Sequence, residues 1–252
     1  MNKFIDSHAH ILREYYPRDK NEVIKNSENT IIIINGVDLE SNKEILKTII
    51  KNDNTYGALG IHPTEVNDYE LSDLESVFES LDNDKIIAVG ETGLDLYWNK
   101  DNFEKQKEFF VKHIEKAIEH NLPVIIHSRN AEEEVYEIIK GYKDLKSILH
   151  CYGGNLETAQ KFVKLGSLIG IGGVVTFKKS YQLQEIVKKI NINNLITETD
   201  SPYLSPEPYR GKRNEPKNVE YIVEKIAEIK GEKPNKIKEL IYNNFVREFD
   251  LK

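Results

Sequence analysis

The sequence predicts a single (β/α)8 barrel, and three observations lead to that fold class. Short apolar segments alternate with amphipathic helical patterns along the 252 residues. The apolar segments are typical of parallel strands that are covered on both faces. Side chains that can bind metals recur where these strands end, from residue 8 to residue 200. A closed barrel gathers all its strand ends around one axis, so it explains this spread better than the alternative, a doubly wound open sheet.

The predicted elements follow one another without a linker or a repeat. In chain order, the predicted strands are residues 4–5, 31–34, 56–59, 86–89, 124–126, 148–149, 168–171 and 195–196. Helical patterns lie at residues 42–52, 71–81, 103–121, 131–140, 156–165, 181–190, 217–230 and 235–249. Ser72 and Glu75 form a capping-box pattern, and Gly141 and Gly166 suit helix ends. One domain covering residues 1–252 is therefore expected.

Composition narrows the class of protein. The chain has 39% hydrophobic and 31% charged residues, as soluble proteins do. No apolar run approaches the roughly 20 residues of a membrane span, and the N-terminus lacks the apolar core of a signal peptide. Cys151 is the single cysteine, so no internal disulfide can form. We expect a cytoplasmic protein without a membrane partner, and a monomer, because no exposed apolar stripe or obligate protein partner is evident.

The first predicted strand ends in Asp6-Ser-His8-Ala-His10. Histidines two residues apart on an extended strand point to the same side, which here is the barrel interior. A lone pair of this kind is weak evidence, but its position at a strand end favours metal binding by His8 and His10. Asp6 has the same parity and either orients a ligand or simply ends the strand.

Further metal-binding side chains follow four later strands. Glu91 follows the fourth strand, where a carboxylate can bridge two cations; a solvent-facing loop acid is the alternative. His127 and His150 end the fifth and sixth strands, and Asp200 follows the eighth. A carboxylate beside a metal-activated water can accept its proton, so Asp200 is the predicted general base and Glu91 the second catalytic residue.

Basic and aromatic side chains near the same strand ends are candidate substrate contacts. Net charge is -7, which argues against broad adhesion to nucleic acid but not against a narrow basic site. His62 either binds a substrate phosphate or stabilises a turn. Tyr97-Trp98 could stack on a base, although anchoring of the loop or core is the favoured interpretation. Arginine forks suit phosphates, and the predicted phosphate-binding residues are His62, Arg129, Arg210, Lys212 and Arg213. For the loop at residues 210–213, the alternative is a solvated basic turn.

The ordered motifs resemble the TatD family of metal-dependent deoxyribonucleases, which belongs to the amidohydrolase superfamily. The resemblance runs in family order from residue 6 to residue 216, and the helical tail also fits. It implies a TIM-barrel hydrolase that cleaves phosphodiester bonds of DNA, typically as a 3′-to-5′ exonuclease. The motifs are Asp6-Ser-His-Ala-His10, Gly60-Ile-His-Pro63, Gly90-Glu-Thr-Gly-Leu-Asp95, Ile126-His-Ser-Arg129, His150-Cys-Tyr-Gly-Gly154, Thr199-Asp-Ser-Pro-Tyr203 and Arg210-Gly-Lys-Arg-Asn-Glu-Pro216.

The resemblance also implies a binuclear metal site at the C-terminal rim of the strands. One cation would be held by His8, His10, Glu91 and Asp200, and Glu91 would bridge to a second cation held by His127 and His150. Imidazole-rich sites favour Zn²⁺, Mn²⁺ or Co²⁺, whereas the resemblance points to Mg²⁺. We therefore expect activity with Mg²⁺ or Mn²⁺ and a possible Zn²⁺ occupant. The stretch from Cys151 to Gly154 departs mildly from the family, where many members have an aromatic residue and then serine and glycine.

The predicted function is divalent-metal-dependent cleavage of DNA, acting on single-stranded 3′ ends. Deacylation of D-aminoacyl-tRNA, or hydrolysis of another ester or amide, is the alternative reaction at the same site. No lysine ends the fourth strand, which argues against a carbamylated-lysine bridge. A non-catalytic metal-binding scaffold that captures nucleic acid ends is the alternative from another class, and the complete ligand set argues against it.

Overall fold

The computed structural model describes residues 2–250, and its eight parallel strands form the predicted (β/α)8 TIM barrel. Each strand pairs in parallel with the next along the chain. All eight carboxyl ends therefore meet at one rim, which we call the mouth. The strands are β1 (Phe4–Ala9), β2 (Thr30–Asn35), β3 (Thr55–Leu59), β4 (Ile86–Asp95), β5 (Val124–Arg129), β6 (Ser147–Leu149), β7 (Leu168–Ile171) and β8 (Leu195–Thr197).

Helices connect these strands and cover the outside of the barrel. They are α1 (Lys20–Lys25), α2 (Leu39–Ile49), α3 (Leu74–Phe78), α4 (Phe103–Glu119), α5 (Glu132–Ile139), α6 (Leu156–Lys164), α7 (Tyr181–Lys189), α8 (Val219–Lys230) and α9 (Pro234–Phe249). The sequence did not predict α1, which is six residues long and too short for a periodic pattern. It also predicted too long a helix at residues 71–81.

The predicted capping box at Ser72 and Glu75 is wrong. Two short 3-10 turns precede α3, and the reciprocal capping bonds join Glu70 to Asp73 instead. This segment contains many acidic residues, so a Ser followed three residues later by Glu did not identify which residue begins the helix. The predicted helix end at Gly166 is confirmed, because this glycine follows α6 with a φ of +96°.

Hydrogen bonds between the segment after β8 and β1 close the barrel. The Asp200 amide donates to the His8 carbonyl at 2.9 Å, and the His10 amide donates to the Ser201 carbonyl at 2.7 Å. The Asp6 carboxylate accepts from the Thr199 amide at 2.7 Å and from its hydroxyl at 2.6 Å. Asp6 thus joins the first and last strands, and the same bonds hold the first and last predicted metal ligands side by side.

Buried aliphatic side chains fill the barrel and the layer beneath the helices. Consecutive residues Ile32, Ile33 and Ile34 of β2 are all fully buried, as expected for a strand covered on both faces. The longest helix, α4, buries Phe109 and Phe110 against the strands. Within residues 2–250, we find no helix with the length and apolar composition needed to cross a membrane.

Candidate metal centre

Six predicted metal ligands converge on the floor of the mouth, although they lie in or directly after five different strands. Glu91 lies at the centre of the cluster, within β4, and its side chain is almost completely buried. Its two carboxylate oxygens face opposite ways, each towards a different group of imidazoles. We call these groups the first and the second donor set.

The first donor set surrounds Oε2 of Glu91. The Nε2 atoms of His8 and His10 lie 3.2 and 3.5 Å from this oxygen and 3.1 Å from each other. The nearest oxygen of Asp200, Oδ1, lies 3.9 Å from His8 Nε2 and 3.6 Å from His10 Nε2. The donor atoms of His8, His10 and Glu91 therefore lie within 4.8 Å of one another, and Asp200 lies beside the two imidazoles.

The second donor set surrounds Oε1 of Glu91. His127 Nδ1 lies 2.9 Å from this oxygen, His150 Nε2 lies 3.2 Å from it, and His62 Nε2 lies 3.4 Å from it. His62 Nε2 and His127 Nδ1 are also 3.2 Å apart. The sequence placed His62 among the phosphate contacts, whereas the structure places it inside this donor set.

The spacing of the donors suits divalent metal ions. Ligands bonded to one ion at about 2.1 Å are separated by roughly 3.0–3.4 Å at octahedral or tetrahedral angles. The shortest contacts between donor atoms lie at 2.9–3.9 Å, close to that range. His8, His10 and Glu91 form one group whose donor atoms all lie within 4.8 Å of one another, and His62, Glu91 and His127 form another. Imidazoles with a shared carboxylate are also donors that Zn²⁺ and Mn²⁺ accept. These buried groups could therefore hold metal ions.

A glycine allows β4 to approach β5 at the ligand positions. Gly93 is paired with His127 in the sheet and has a φ of +140°. A Cβ atom at residue 93 would lie 2.1 Å from the carbonyl oxygen of His127. Only glycine fits such a close approach without displacing the neighbouring strand, so this residue fixes the distance between Glu91 and His127.

A buried carboxylate on β4 orients the imidazole of His127. Asp95 Oδ2 lies 2.9 Å from His127 Nε2, the ring nitrogen that faces away from Glu91. Its other oxygen, Oδ1, accepts from the backbone amides of Tyr97 and Trp98. Such a second partner fixes the ring orientation of a metal-binding histidine.

Glu198 is a buried site residue that the sequence prediction did not assign. It is fully buried, and Oε1 accepts from the Cys151 amide and lies 3.5 Å from His150 Nδ1. Its Oε2 has no hydrogen-bond partner within the described residues. The sequence did contain a signal for Glu198. It lies two residues before Asp200, the same spacing as His8 and His10, and this spacing places both side chains on the same side of an extended segment.

His113 supports the loop that carries His62. This residue of α4 is buried beneath the loop after β3. Its Nε2 accepts from the Ile61 amide at 3.1 Å, and its Nδ1 lies 2.7 Å from the Phe109 carbonyl. Burial lowers the pKa of His113 to about 4, so the ring is neutral and can accept this bond at physiological pH.

The electrostatics of the cluster keep its central carboxylate ionised. Burial alone would raise the pKa of Glu91, but the surrounding imidazoles, with His150 and His8 foremost, hold it well below its usual range. Burial would lower the pKa of His150, and the charges of Glu91 and Glu198 outweigh it and raise that pKa well above normal. Metal binding requires neutral imidazoles, so cation uptake would release protons from this cluster.

His8 differs from its neighbours in the first donor set. Burial, together with the charge of His150, whose ring stacks on it at 3.7 Å, lowers the pKa of His8 to about 3. His8 is therefore neutral across the physiological range and has a free lone pair for a cation. The His8 Nδ1 atom is buried without a hydrogen-bond partner within residues 2–250.

The remaining predicted substrate contacts lie around the rim of the mouth. Arg129 is exposed at the end of β5, and its guanidinium lies over the ring of Tyr97. Arg210 lies over Phe177, at 4.2 Å from the ring centroid, and Lys212 is exposed nearby. Arg213 instead forms an ion pair with Asp19. That pair ties the loop after β8 to the loop after β1, so this guanidinium is the least available of the four basic side chains for a phosphate.

Comparisons with known proteins identify relatives over almost the whole chain. Residues 5–250 match the family of TatD-related DNases. The uncharacterised metal-dependent hydrolase YabD of Bacillus subtilis is 40% identical, and the alignment covers 89% of this chain and 90% of that protein. A similarly described hydrolase of Methanocaldococcus jannaschii is 35% identical over 98% of this chain and 97% of its own. The crystal structure of YjjV, a TatD homologue from Escherichia coli, matches with a TM-score of 0.92 at 26% identity, covering 100% of this chain and 99% of that one.

Proposed function

The chain belongs to the TatD-related DNase family of metal-dependent hydrolases, and on that premise we propose that it is a 3′-to-5′ exonuclease acting on single-stranded DNA. The observation that carries this proposal is the position of Glu91, which offers one oxygen to each donor set beneath the open mouth. Two divalent cations held there would activate water and offset the charge of a phosphate.

Asp200 is the residue best placed to accept a proton from the attacking water. Its side chain is 14% exposed, against 3% for Glu91, so it is the donor-set carboxylate nearer the mouth. Burial raises its pKa, but the hydrogen bond from His10 and the nearby imidazole charges outweigh this and lower it. An ionised carboxylate at the edge of the cluster suits a general base.

Basic side chains around the mouth would hold the phosphates that flank the scissile bond. Arg129 extends from β5, while Arg210 and Lys212 come from the loop after β8. Lys178 and Lys179, which the sequence prediction did not include, are exposed after β7 on the same rim. Such a local basic rim can attract a polyanion even though the whole chain carries a net charge of -7.

The proposed activity is tested with single-stranded DNA labelled at its 3′ or 5′ end, in Mg²⁺, Mn²⁺ or EDTA. We expect metal-dependent release of nucleotides from the 3′ end. Asp200→Asn should reduce kcat by about 10²–10⁴-fold, the usual contribution of a general base, when metal is supplied at a concentration that keeps both donor sets occupied. Asp82→Asn, which changes an exposed aspartate away from the cluster, is the matched control.

Two results would contradict the proposal. Full turnover by Asp200→Asn with its metals bound would remove the general-base role. An absence of DNA cleavage with every metal would contradict the nuclease and favour aminoacyl esters or amides as substrates. An assay with D-aminoacyl-tRNA, run in parallel, measures that alternative. In both cases the donor sets would remain as described.

A further inference from the structure

Two large aromatic side chains stand exposed at the mouth immediately after β4. Tyr97 is 53% exposed and Trp98 is 67% exposed, and their rings contact each other edge to face with centroids 4.9 Å apart. Loop anchoring, the interpretation favoured by the sequence, would bury at least one ring. The exposed faces are therefore available to a ligand, and Trp98 is the only tryptophan in the chain.

A single buried carboxylate connects this aromatic pair to the second donor set. The backbone amides of Tyr97 and Trp98 donate to Asp95 Oδ1 at 2.9 and 2.8 Å. Asp95 Oδ2 lies 2.9 Å from Nε2 of His127, whose Nδ1 faces Glu91. The backbone beneath the two rings is thus held in a fixed relation to the metal ligands, which loop anchoring alone would not require.

Arg129 adds a positive charge to the same surface. The central carbon of its guanidinium lies 4.2 Å from the ring centroid of Tyr97 and 5.3 Å from that of Trp98. Aromatic faces beside a cation are the usual means of binding single-stranded nucleic acid, because every base has a π-face and every nucleotide a phosphate. Arg129 ends the strand that carries His127, so this charge also lies beside the candidate metal centre.

We propose that Tyr97, Trp98 and Arg129 form a stacking platform for an unpaired nucleobase of the strand whose phosphate is cleaved at the donor sets. The platform rests on the proposed nuclease function and assigns residues that would give its preference for single-stranded DNA. A base inside a duplex has both faces covered by its neighbours, so the platform favours frayed or single-stranded ends. Arg129 would pair with the adjacent phosphate while the aromatic rings hold the base.

Fluorescence of Trp98 tests the platform directly, because no other tryptophan contributes to the signal. The metal-loaded protein is titrated with phosphorothioate oligothymidylate, which resists cleavage, and with a spacer oligomer that has the same number of phosphates and no bases. Stacking predicts saturable quenching by oligothymidylate and little change with the spacer oligomer. Equal changes with both would show that charge alone is recognised and would overturn the proposal.

Steady-state cleavage of single-stranded DNA gives the second measurement. Trp98→Ala should raise KM by about 5- to 150-fold, the range that base stacking on one aromatic side chain provides, with kcat nearly unchanged. Ile50→Ala is the control, because this residue is 70% exposed and lies at the end of α2, away from the mouth. An unchanged KM in Trp98→Ala would overturn the platform.

The outcomes separate the platform from the proposed function. DNA cleavage without any change in Trp98 emission would overturn the platform and leave the nuclease in place. Quenching that saturates without cleavage would support the platform and contradict the nuclease. Emission that changes with protein concentration alone would assign the aromatic surface to a second copy of the chain and overturn the proposal.

Discussion

Individual carboxylates determine how each imidazole of the cluster is presented. Glu91 divides its two oxygens between the donor sets, while Asp95 and Glu198 lie behind His127 and His150 respectively. A carboxylate behind an imidazole fixes which ring nitrogen is protonated and which is free to bind a metal. We therefore expect the supporting acids to contribute to metal binding beside the predicted ligands.

Asp95→Asn is expected to weaken metal binding at the second donor set. The amide keeps the size of the side chain and can still accept from the backbone of Tyr97 and Trp98, but its nitrogen cannot accept from His127. We expect about 10- to 100-fold weaker binding of one Mn²⁺ equivalent, with the other equivalent retained, in a calorimetric titration. Asp101→Asn, an exposed residue of the same loop, is the control. Unchanged affinity for both equivalents would contradict this role for Asp95.

Glu248 makes stability depend on pH at a position outside the metal cluster. This residue of α9 is buried, and burial raises its pKa from 4.5 to about 7 despite nearby Arg247 and Lys146. The folded state then binds the proton more tightly than the unfolded state does. Stability is therefore lost as pH rises from about 4.5 through 7.

Glu248→Gln should remove that loss. We expect the variant to match the parent near pH 4.5 and to exceed its free energy of unfolding by up to about 3 kcal/mol above pH 7. Urea denaturation at pH 5 and pH 8 measures the difference. Glu239→Gln changes an exposed carboxylate on the same helix and should have little effect at either pH. A gain that is equal at both pH values would mean that Glu248 is not the titrating group.

The sequence pointed to the candidate ligands better than to the residues that support them. His8, His10 and Glu91 follow strands, and parity or position at a strand end is readable from the chain. Asp95 and Glu198 act on partners from other strands, 32 and 48 residues away in the chain. Such partners follow from the closure and register of the barrel, which no local pattern contains. The same reason explains why His62 was assigned to the rim and not to a donor set.

Among the elements, β4 has the most unusual construction. It is the longest strand, with ten residues, and its register against β5 shifts between Val89 and Thr92. The sequence predicted only its apolar first half, because the polar residues that follow resemble a loop. In the structure, pairing with β5 extends the strand to Asp95. The strand therefore carries both Glu91 and the carboxylate that supports His127.

Gly93→Ala should disturb this element and the second donor set together. A Cβ at residue 93 meets the His127 carbonyl oxygen at 2.1 Å, and the positive φ is unfavourable for alanine. We expect a loss of about 1–3 kcal/mol in unfolding free energy, together with weaker Mn²⁺ binding. Gly141→Ala is the control, because its Cβ would meet nothing closer than 3.4 Å. A variant with unchanged stability and metal affinity would show that β4 can shift freely away from β5.

The helices show the limits of local pattern in another way. Long amphipathic helices such as α4 were predicted nearly to their ends, because their apolar positions repeat over several turns. The six-residue α1 buries only Val23 and Ile24 and offers no repeat to detect. Short connecting helices of this kind are determined by the barrel they cover and by chain closure, and not by their own periodicity.

At the scale of the whole molecule, the barrel gathers buried carboxylates and imidazoles at the mouth, where their removal from water costs free energy. Hydrogen bonds between β1 and the segment after β8 bring ligands that are nearly 200 residues apart into one cluster. Buried carboxylates are expensive to desolvate. Facing imidazoles outweigh this cost for Glu91, whereas burial still raises the pKa of Glu198. Divalent cations at the two donor sets would neutralise these charges, so metal binding and barrel stability should be linked.

Chelation of metal should therefore lower the stability of the whole barrel. A ligand present at about 1,000 times its Kd stabilises the folded state by about 4 kcal/mol, which for a domain of this size corresponds to roughly 10 °C in Tm. We expect a decrease of this order when EDTA is added to Mn²⁺-loaded protein, measured by calorimetry. Glu91→Ala should abolish the difference, because both donor sets lose their shared carboxylate. His120→Ala, which changes a histidine outside the cluster, should keep it. A Tm that does not respond to EDTA in the parent protein would mean that the donor sets are stable without cations and that their geometry is built by the barrel alone.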